Sequence, residues 1–287
     1  MISACTWFRS PSPRSRALFV GVLVLISPII AYGGGGVSVF PNHLFYSYPN
    51  KSEALTITNP SDQALEVWFS FRFGYPVSFD TGTVNFAWGD LLAESGYNGA
   101  RWMRAYPERI VLQAGESQNI RVIASPPAGL ADREYWSRLV ISSKASNPAT
   151  VTSRKEALSP ILVSEMIVPV HYRKGPVNSA AVLTNLRGTV EQDRLKFNFQ
   201  LKKVGNAAFF GRALFELINE SGQVADSRRN PLVVYDTLAY CDFMSIAGLP
   251  PGSYTFNVTV DNKHPVTKSD IRLKSPPISD SFKFTIP

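Results

Sequence analysis

Three histidines, two cysteines and one tight run of charges are the residues whose types could do chemistry in this chain. His43, His171 and His264 are scattered along the sequence, and none sits in the close His/Cys/Glu spacing that holds a metal. Each is therefore expected to play a structural part. Asp132-Arg133-Glu134 could form either a charged site or a structural salt bridge in a turn. Gly33–Gly36 would cradle a phosphate only with a strand before it and a helix after it, and neither is expected there. There is no Gly-x-Ser-x-Gly elbow, no Walker loop and no Gly-x-Gly-x-x-Gly fingerprint. The expectation is a chain that is not an enzyme, with no catalytic residue, no metal ligand and no cofactor.

The elements that would position any site begin after an apolar leader. Arg9, Arg14 and Arg16 precede the run Ala17 to Tyr32, which is shorter than the roughly 20 residues of a spanning helix and is broken by Pro28. A basic start, an apolar middle and small residues at the exit are the parts of a secretory signal, so residues 1–32 are expected to be cleaved on export. The leader holds three of the 29 basic residues and none of the 22 acidic ones, so the formal charge of +7 falls to +4 after cleavage. No lysine–arginine run supplies a phosphate-tracking patch, and no nucleic-acid partner is expected. Cys5 leaves with the leader, so the fold must rest on hydrophobic cores. Cys241 is expected as a buried thiol in a strand, with an intermolecular disulfide as the alternative.

Hydrophobic alternation with a period of two recurs along the chain. Leu65, Val67, Phe69, Phe71 and Phe73 form one such set, Leu195, Phe197, Phe199 and Leu201 another, and Tyr254, Phe256, Val258 and Val260 a third. Residues two apart share a face of a strand, so each set predicts one buried side. Turn signals separate them at Asn59-Pro60-Ser61-Asp62, Asn219-Glu220-Ser221-Gly222 and Pro250-Pro251-Gly252. The fold class expected is all-β: two immunoglobulin-like β-sandwich domains after a signal peptide, at 33–172 and 173–287. Tyr254 fits either the tyrosine that closes the corner of such sandwiches or an ordinary core aromatic. Residues 75–101 form a long insertion rich in glycine and aromatics, and Phe86 and Trp88 in it suit either a partner-contact patch or a loop folded onto the sandwich.

The first domain resembles the periplasmic pilus-assembly chaperone (PapD-like) family as an atypical member. The resemblance rests on Val37 to His43 followed by Ala54 to Pro60, on Tyr106 to Val122, on Asp132-Arg133-Glu134-Tyr135-Trp136, and on Ile167 to Arg173, in that order. It implies that Asp132-Arg133-Glu134 is a structural turn salt bridge. It also implies that an edge strand is lent to a subunit that lacks one, main chain pairing with main chain while alternate side chains fill the subunit's groove. In this chain the strand would be Leu158 to Val170, with Leu158, Leu162, Ser164, Met166 and Val168 on the side that meets the partner. Family members clamp the subunit's terminal carboxylate with a basic pair. His43 and Pro169 fall at those two positions, leaving His43 and the nearby Arg173 as anchor candidates and implying a different client or a different anchoring.

The function expected from the resemblance is a periplasmic chaperone or accessory protein for pilus, fimbrial or other surface-fibre subunits. Those subunits are the expected partners, with an outer-membrane usher and self-association through the edge strand left open. The alternative is a structural subunit or adhesin of a surface fibre. A fibre subunit should carry a free N-terminal extension of alternating hydrophobics, whereas Gly33–Gly36 lead directly into the first strand, which favours the chaperone.

Overall fold

The computed structural model describes residues 36–79, 81–89, 96–146 and 161–287. The expected signal segment and Leu158 lie outside them. In chain order the strands are β1 (Ser38–Phe40), β2 (Leu44–Ser47), β3 (Ser52–Thr58), β4 (Leu65–Arg72), β5 (Gly74–Ser78), β6 (Val84–Trp88), β7 (Met103–Tyr106), β8 (Arg109–Leu112) and β9 (Ser117–Ala124). They continue as β10 (Arg133–Ala145), β11 (Ser164–Lys174), β12 (Ser179–Glu191), β13 (Arg194–Gly205), β14 (Phe209–Asn219), β15 (Val224–Val234), β16 (Thr237–Ser245), β17 (Gly252–Asp261) and β18 (Ile278–Ile286). The protein is all-β, and it forms two immunoglobulin-like sandwiches.

The first sandwich packs the sheet β1-β3-β9-β7 against β2-β11-β10-β4-β8. The opening segment changes sheets at Pro41-Asn42-His43, so β1 pairs with β3 while β2 runs parallel to β11. The second sandwich packs β12-β13-β16 against β15-β14-β17-β18. Each has its own core. Leu55, Ile57, Leu65, Val67, Ile120, Val122, Leu139 and Ile141 fill the first. Phe197, Phe199, Phe215, Leu217, Phe256 and Val258 fill the second. The period-two sets thus face inward as the pattern predicts, except that Phe73, at the end of the first set, joins a separate cluster between the sandwiches. Burying one such side chain is worth about 1.5–3 kcal/mol, so a one-residue slip that turned a whole set to solvent is strongly disfavoured.

Two expectations are corrected or sharpened. Cys241 lies in strand β16 but is exposed. Its neighbour Tyr240 takes the inward side and stacks on Phe199 at 4.9 Å, which turns Cys241 outward. Tyr254 is the corner tyrosine, its hydroxyl donating to the Pro250 carbonyl at 2.9 Å. Tyr135 makes the same bond to Ala131 at 2.9 Å. Both close a Gly-Leu-x-x-x-x-Tyr segment, Gly129 to Tyr135 and Gly248 to Tyr254, and both glycines take positive φ, 77° and 79°. The two sandwiches therefore share a corner device as well as β patterning.

Tyr135→Phe and Tyr254→Phe each delete one hydrogen bond at equivalent corners. Each is expected to cost about 1 kcal/mol, read as a lowered denaturation midpoint in urea.

Candidate functional site: the free edge and the sandwich junction

Strand β11 has two different halves. On one side it pairs with β10 along its whole length, from Arg133↔Lys174 to Ser143↔Ser164. On the other, β2 covers only Val170 to Arg173. Among the described residues, Ser164 to Pro169 therefore presents an edge with no strand beside it. This edge and the segment leading to it are apolar and exposed: Ile161 and Leu162 are each 66% accessible, with Val163, Met166 and Ile167 also exposed.

The sequence-predicted partner side runs along even positions of this strand. Leu162 and Met166 are exposed and Ser164 is half-buried. Val168 is buried in the first sandwich's own core with Val170 and Tyr172, so toward a partner it can offer only main chain. Odd positions Ile161, Val163 and Ile167 are exposed and apolar as well, so both faces of the segment are hydrophobic.

The anchor candidates lie at the other half of the strand, where the sandwiches meet. His43 is half-buried at the point where the first segment crosses between sheets, one residue before the Leu44↔Val170 pair and so beside Pro169. Pro169 is opposite Arg138, and Arg138 opposite Arg72. Cationic side chains thus occur in the same row of the sheet, on the two strands beyond Pro169. Of the two, Arg138 is out of water and Arg72 is exposed. Arg138 is buried, its guanidinium 4.9 Å from the Tyr235 ring and 5.5 Å from Phe86, and Arg72 lies 4.1 Å over Trp88.

Arg173 is also buried, and it is committed. Its Nε donates to Glu134 Oε2 at 2.9 Å and its Nη1 donates to the Ile271 carbonyl of the second sandwich. Glu134 is out of water and accepts three further bonds: from Trp136 Nε1 at 2.9 Å, His171 Nδ1 at 3.1 Å and the Ala208 amide at 3.2 Å. Burial in itself would raise the Glu134 carboxyl; the His171 ring and the Arg173 guanidinium outweigh it and hold the group at about 2. Burial lowers His171, with Arg138 and Arg173 adding to the effect against the pull of Glu134. The charges of the turn find their partners outside it: Asp132 pairs with Lys174 of β11 at 3.2 Å, and Glu134 turns inward to hold the second sandwich.

Sequence reasoning missed that the three histidines converge. Phe45 stacks on His171 at 4.7 Å and lies parallel to His43 at 6.3 Å, and Phe210 meets His171 and His264 edge-on at 5.1 and 5.5 Å. Among the described residues no group of three His, Cys, Asp or Glu is arranged to hold a metal ion. No local pattern could have announced the cluster, because its members come from strands β2 and β11 and the segment after β17.

The insertion folds onto both sandwiches. Tyr75 stacks on Tyr235 and meets Trp136 edge-on, both at 5.5 Å. At the far end of β5, Ser78 Oγ accepts from the Ala239 amide at 2.6 Å and donates to the Thr237 carbonyl at 3.2 Å, capping the open edge of β16. Farther along, Tyr97 stacks on Trp136 at 4.2 Å, and the Trp136 amide donates to the Tyr97 carbonyl at 2.7 Å. Phe86 keeps partial exposure where it covers Arg138.

No protein-family model matches this chain, and no curated protein matches it in sequence. Solved structures do. The chain is similar to a chaperone–tip subunit pre-assembly complex, CsuC–CsuE, from the archaic chaperone-usher Csu pili of Acinetobacter baumannii, at 13% identity and a TM-score of 0.45, covering 85% of this chain and 98% of that one. It is also similar to the E. coli chaperone DraB, at 14% identity and a TM-score of 0.40, over 88% and 98% of the two chains. A third likeness is to a complex of the Salmonella enterica pilin SafA with the chaperone SafB, at 13% identity and a TM-score of 0.37, over 88% and 97%.

Removing the Glu134 charge leaves Arg173 buried without a carboxylate. Glu134→Gln is expected to cost about 3–5 kcal/mol of stability in urea denaturation.

Proposed function

We propose that this protein is a periplasmic chaperone or accessory protein that binds pilus or other surface-fibre subunits by lending them its free edge. The observation that carries the reading is that, among the described residues, Ser164 to Pro169 has no strand on the side away from β10, beside exposed Ile161, Leu162, Val163, Met166 and Ile167. An exposed apolar edge strand is a hazard that proteins ordinarily blunt with charge, proline or cover. Here Glu165 and Pro169 are the only such devices along it. An edge of this kind supports use in pairing with another chain, and a partner lacking one strand of a β-sandwich has the complementary need.

In this reading Leu162 and Met166, with Leu158 preceding them, fill the client's groove, Ser164 is a small polar filler, and Val168 adds main chain. His43 is the anchor nearest to the edge. Its pKa is lowered to about 4, by burial first and then by His171, His264 and Arg138, so at neutral pH it offers a hydrogen bond and no charge. Arg173 serves indirectly, holding β11 in place through Glu134.

The test is capture of clients from a periplasmic extract by the tagged protein and by Leu162→Glu and Met166→Glu variants. The wild type is expected to recover a β-rich subunit and both variants to lose it, with circular dichroism unchanged because the two side chains are exposed. Recovery of the same partner by both variants would move the structural-subunit reading ahead. His43→Ala is expected to weaken capture less than either glutamate, since it removes one neutral hydrogen bond worth about 0.5–1.5 kcal/mol.

A further inference from the structure

All three histidines of the chain gather where the sandwiches meet, and the two most buried of them act as hydrogen-bond acceptors. Glu134 is ionised and can only accept, so His171 Nδ1 carries the proton in their 3.1 Å bond. That leaves His171 Nε2 as a lone pair, 3.3 Å from the Tyr235 hydroxyl. The Arg138 guanidinium lies 4.9 Å from the same tyrosine ring. In the second sandwich His264 Nδ1 accepts from the Val266 amide at 3.2 Å. The Val266 bond needs a lone pair that an imidazolium no longer has, and the Tyr235 bond survives a further proton on His171 only by reversing, the hydroxyl turning to accept.

The charges around these rings make a further proton costly. Strand β10 contributes Glu134 and Arg138, β11 contributes Arg173, the crossing before β2 contributes His43, and the second sandwich contributes Tyr235 and His264. Glu134 is the one acid that contacts the cluster among the described residues, and Arg173 already pairs with it. Charge placed on any of the histidines therefore adds to Arg138. The cores, by contrast, lie elsewhere: the junction cluster of Phe73, Tyr75, Trp136, Ala208, Phe210 and Tyr235 is separate from both.

We propose that the junction is an acid-operated hinge, in which proton uptake by His171 and His264, buried where the sandwiches meet, loosens the junction and the sandwiches part with both cores intact. Strand β11 carries His171 and the free edge alike, so opening acts on the strand that presents the edge.

The pH window follows from the direction of each shift. Burial is the first cause lowering His43, His171 and His264, and His43 reaches about 4. In the open junction these rings return toward the ordinary value of about 6.5. The open form then binds more protons between those values, so the closed form is favoured above about 6.5 and loses ground as the pH falls toward 4. Glu134 acts lower. Its contribution is complete above its ordinary value of about 4.3 and is lost as the pH falls toward 2.

Small-angle scattering on the purified full chain, with far-ultraviolet circular dichroism alongside, tests the hinge. The radius of gyration is expected to rise between about pH 6.5 and 4 while the β signal persists. His264→Asn keeps an acceptor oxygen near the Nδ1 position and takes no proton, so it should move the rise to lower pH. Tyr235→Phe removes the bond from the second sandwich to His171 and should move the rise to higher pH. The proposal is overturned by a constant radius down to about pH 4, by expansion confined to the Glu134 window, or by loss of the β signal together with expansion. Unshifted midpoints in both variants would overturn it too.

Discussion

A carboxylate held out of water is stable only if its charge is balanced and its lone pairs are used. Glu134 meets both conditions with groups from two different sandwiches. Arg173 supplies the charge, Trp136 and His171 supply donors from the same sandwich, and Ala208 supplies one from the other. Arg173 in turn reaches the Ile271 carbonyl, so the ion pair is clasped on both sides by the second sandwich. The desolvation cost of burying such a pair is several kcal/mol, which only this complete set of partners offsets. The rings of Phe45, Phe210 and Tyr235 close the site to water and keep the local dielectric low, which strengthens each bond.

The insertion between β4 and β7 extends the same arrangement. Alone, a two-stranded hairpin is marginal in water. Here β5 and β6 are supported on one side by Arg72 and Arg138, whose guanidinium groups lie under Trp88 and Phe86, and on the other by the edge of β16. Gly82 is needed at its tip: with φ at 80°, it lies so close that a Cβ there would fall 2.5 Å from the Cys241 Cβ. The hairpin is therefore a brace between the sandwiches, and its rings lie on two arginines, buried Arg138 and exposed Arg72, that have no carboxylate of their own among the described residues.

Much of the fold was legible because strand alternation is local. Phe197, Phe199 and Phe256 could be assigned inward from spacing alone, and so could the separation into two sandwiches. The repeated Gly-Leu-x-x-x-x-Tyr corner was equally legible at Leu130 and Leu249, although only the second corner was read from the sequence. The junction was not legible. Glu134 looked like part of a surface turn because its neighbours Asp132 and Arg133 are polar, yet strand parity turns it inward with Trp136 and Arg138. The histidine cluster is assembled by packing between sandwiches, which no spacing encodes. The apolar free edge was visible as composition, but the point where it becomes core, between Met166 and Val168, depends on where β2 ends.

Strand β11 joins two tasks in one run of backbone. Its first residues form the free edge, and its last carry His171 and Arg173 into the Glu134 site. Tension applied to a chain paired along that edge would pass lengthwise down the strand and reach the ion pair as shear. It would then be shared by the hydrogen bonds to β10, the parallel bonds to β2 and the clasp on the second sandwich, which must yield together. Pull directed across the edge would meet only one bond at a time. The molecule is thus mechanically anisotropic, stiff along β11 and compliant across it, so a bound chain would be removed most easily by peeling from the Ser164 end.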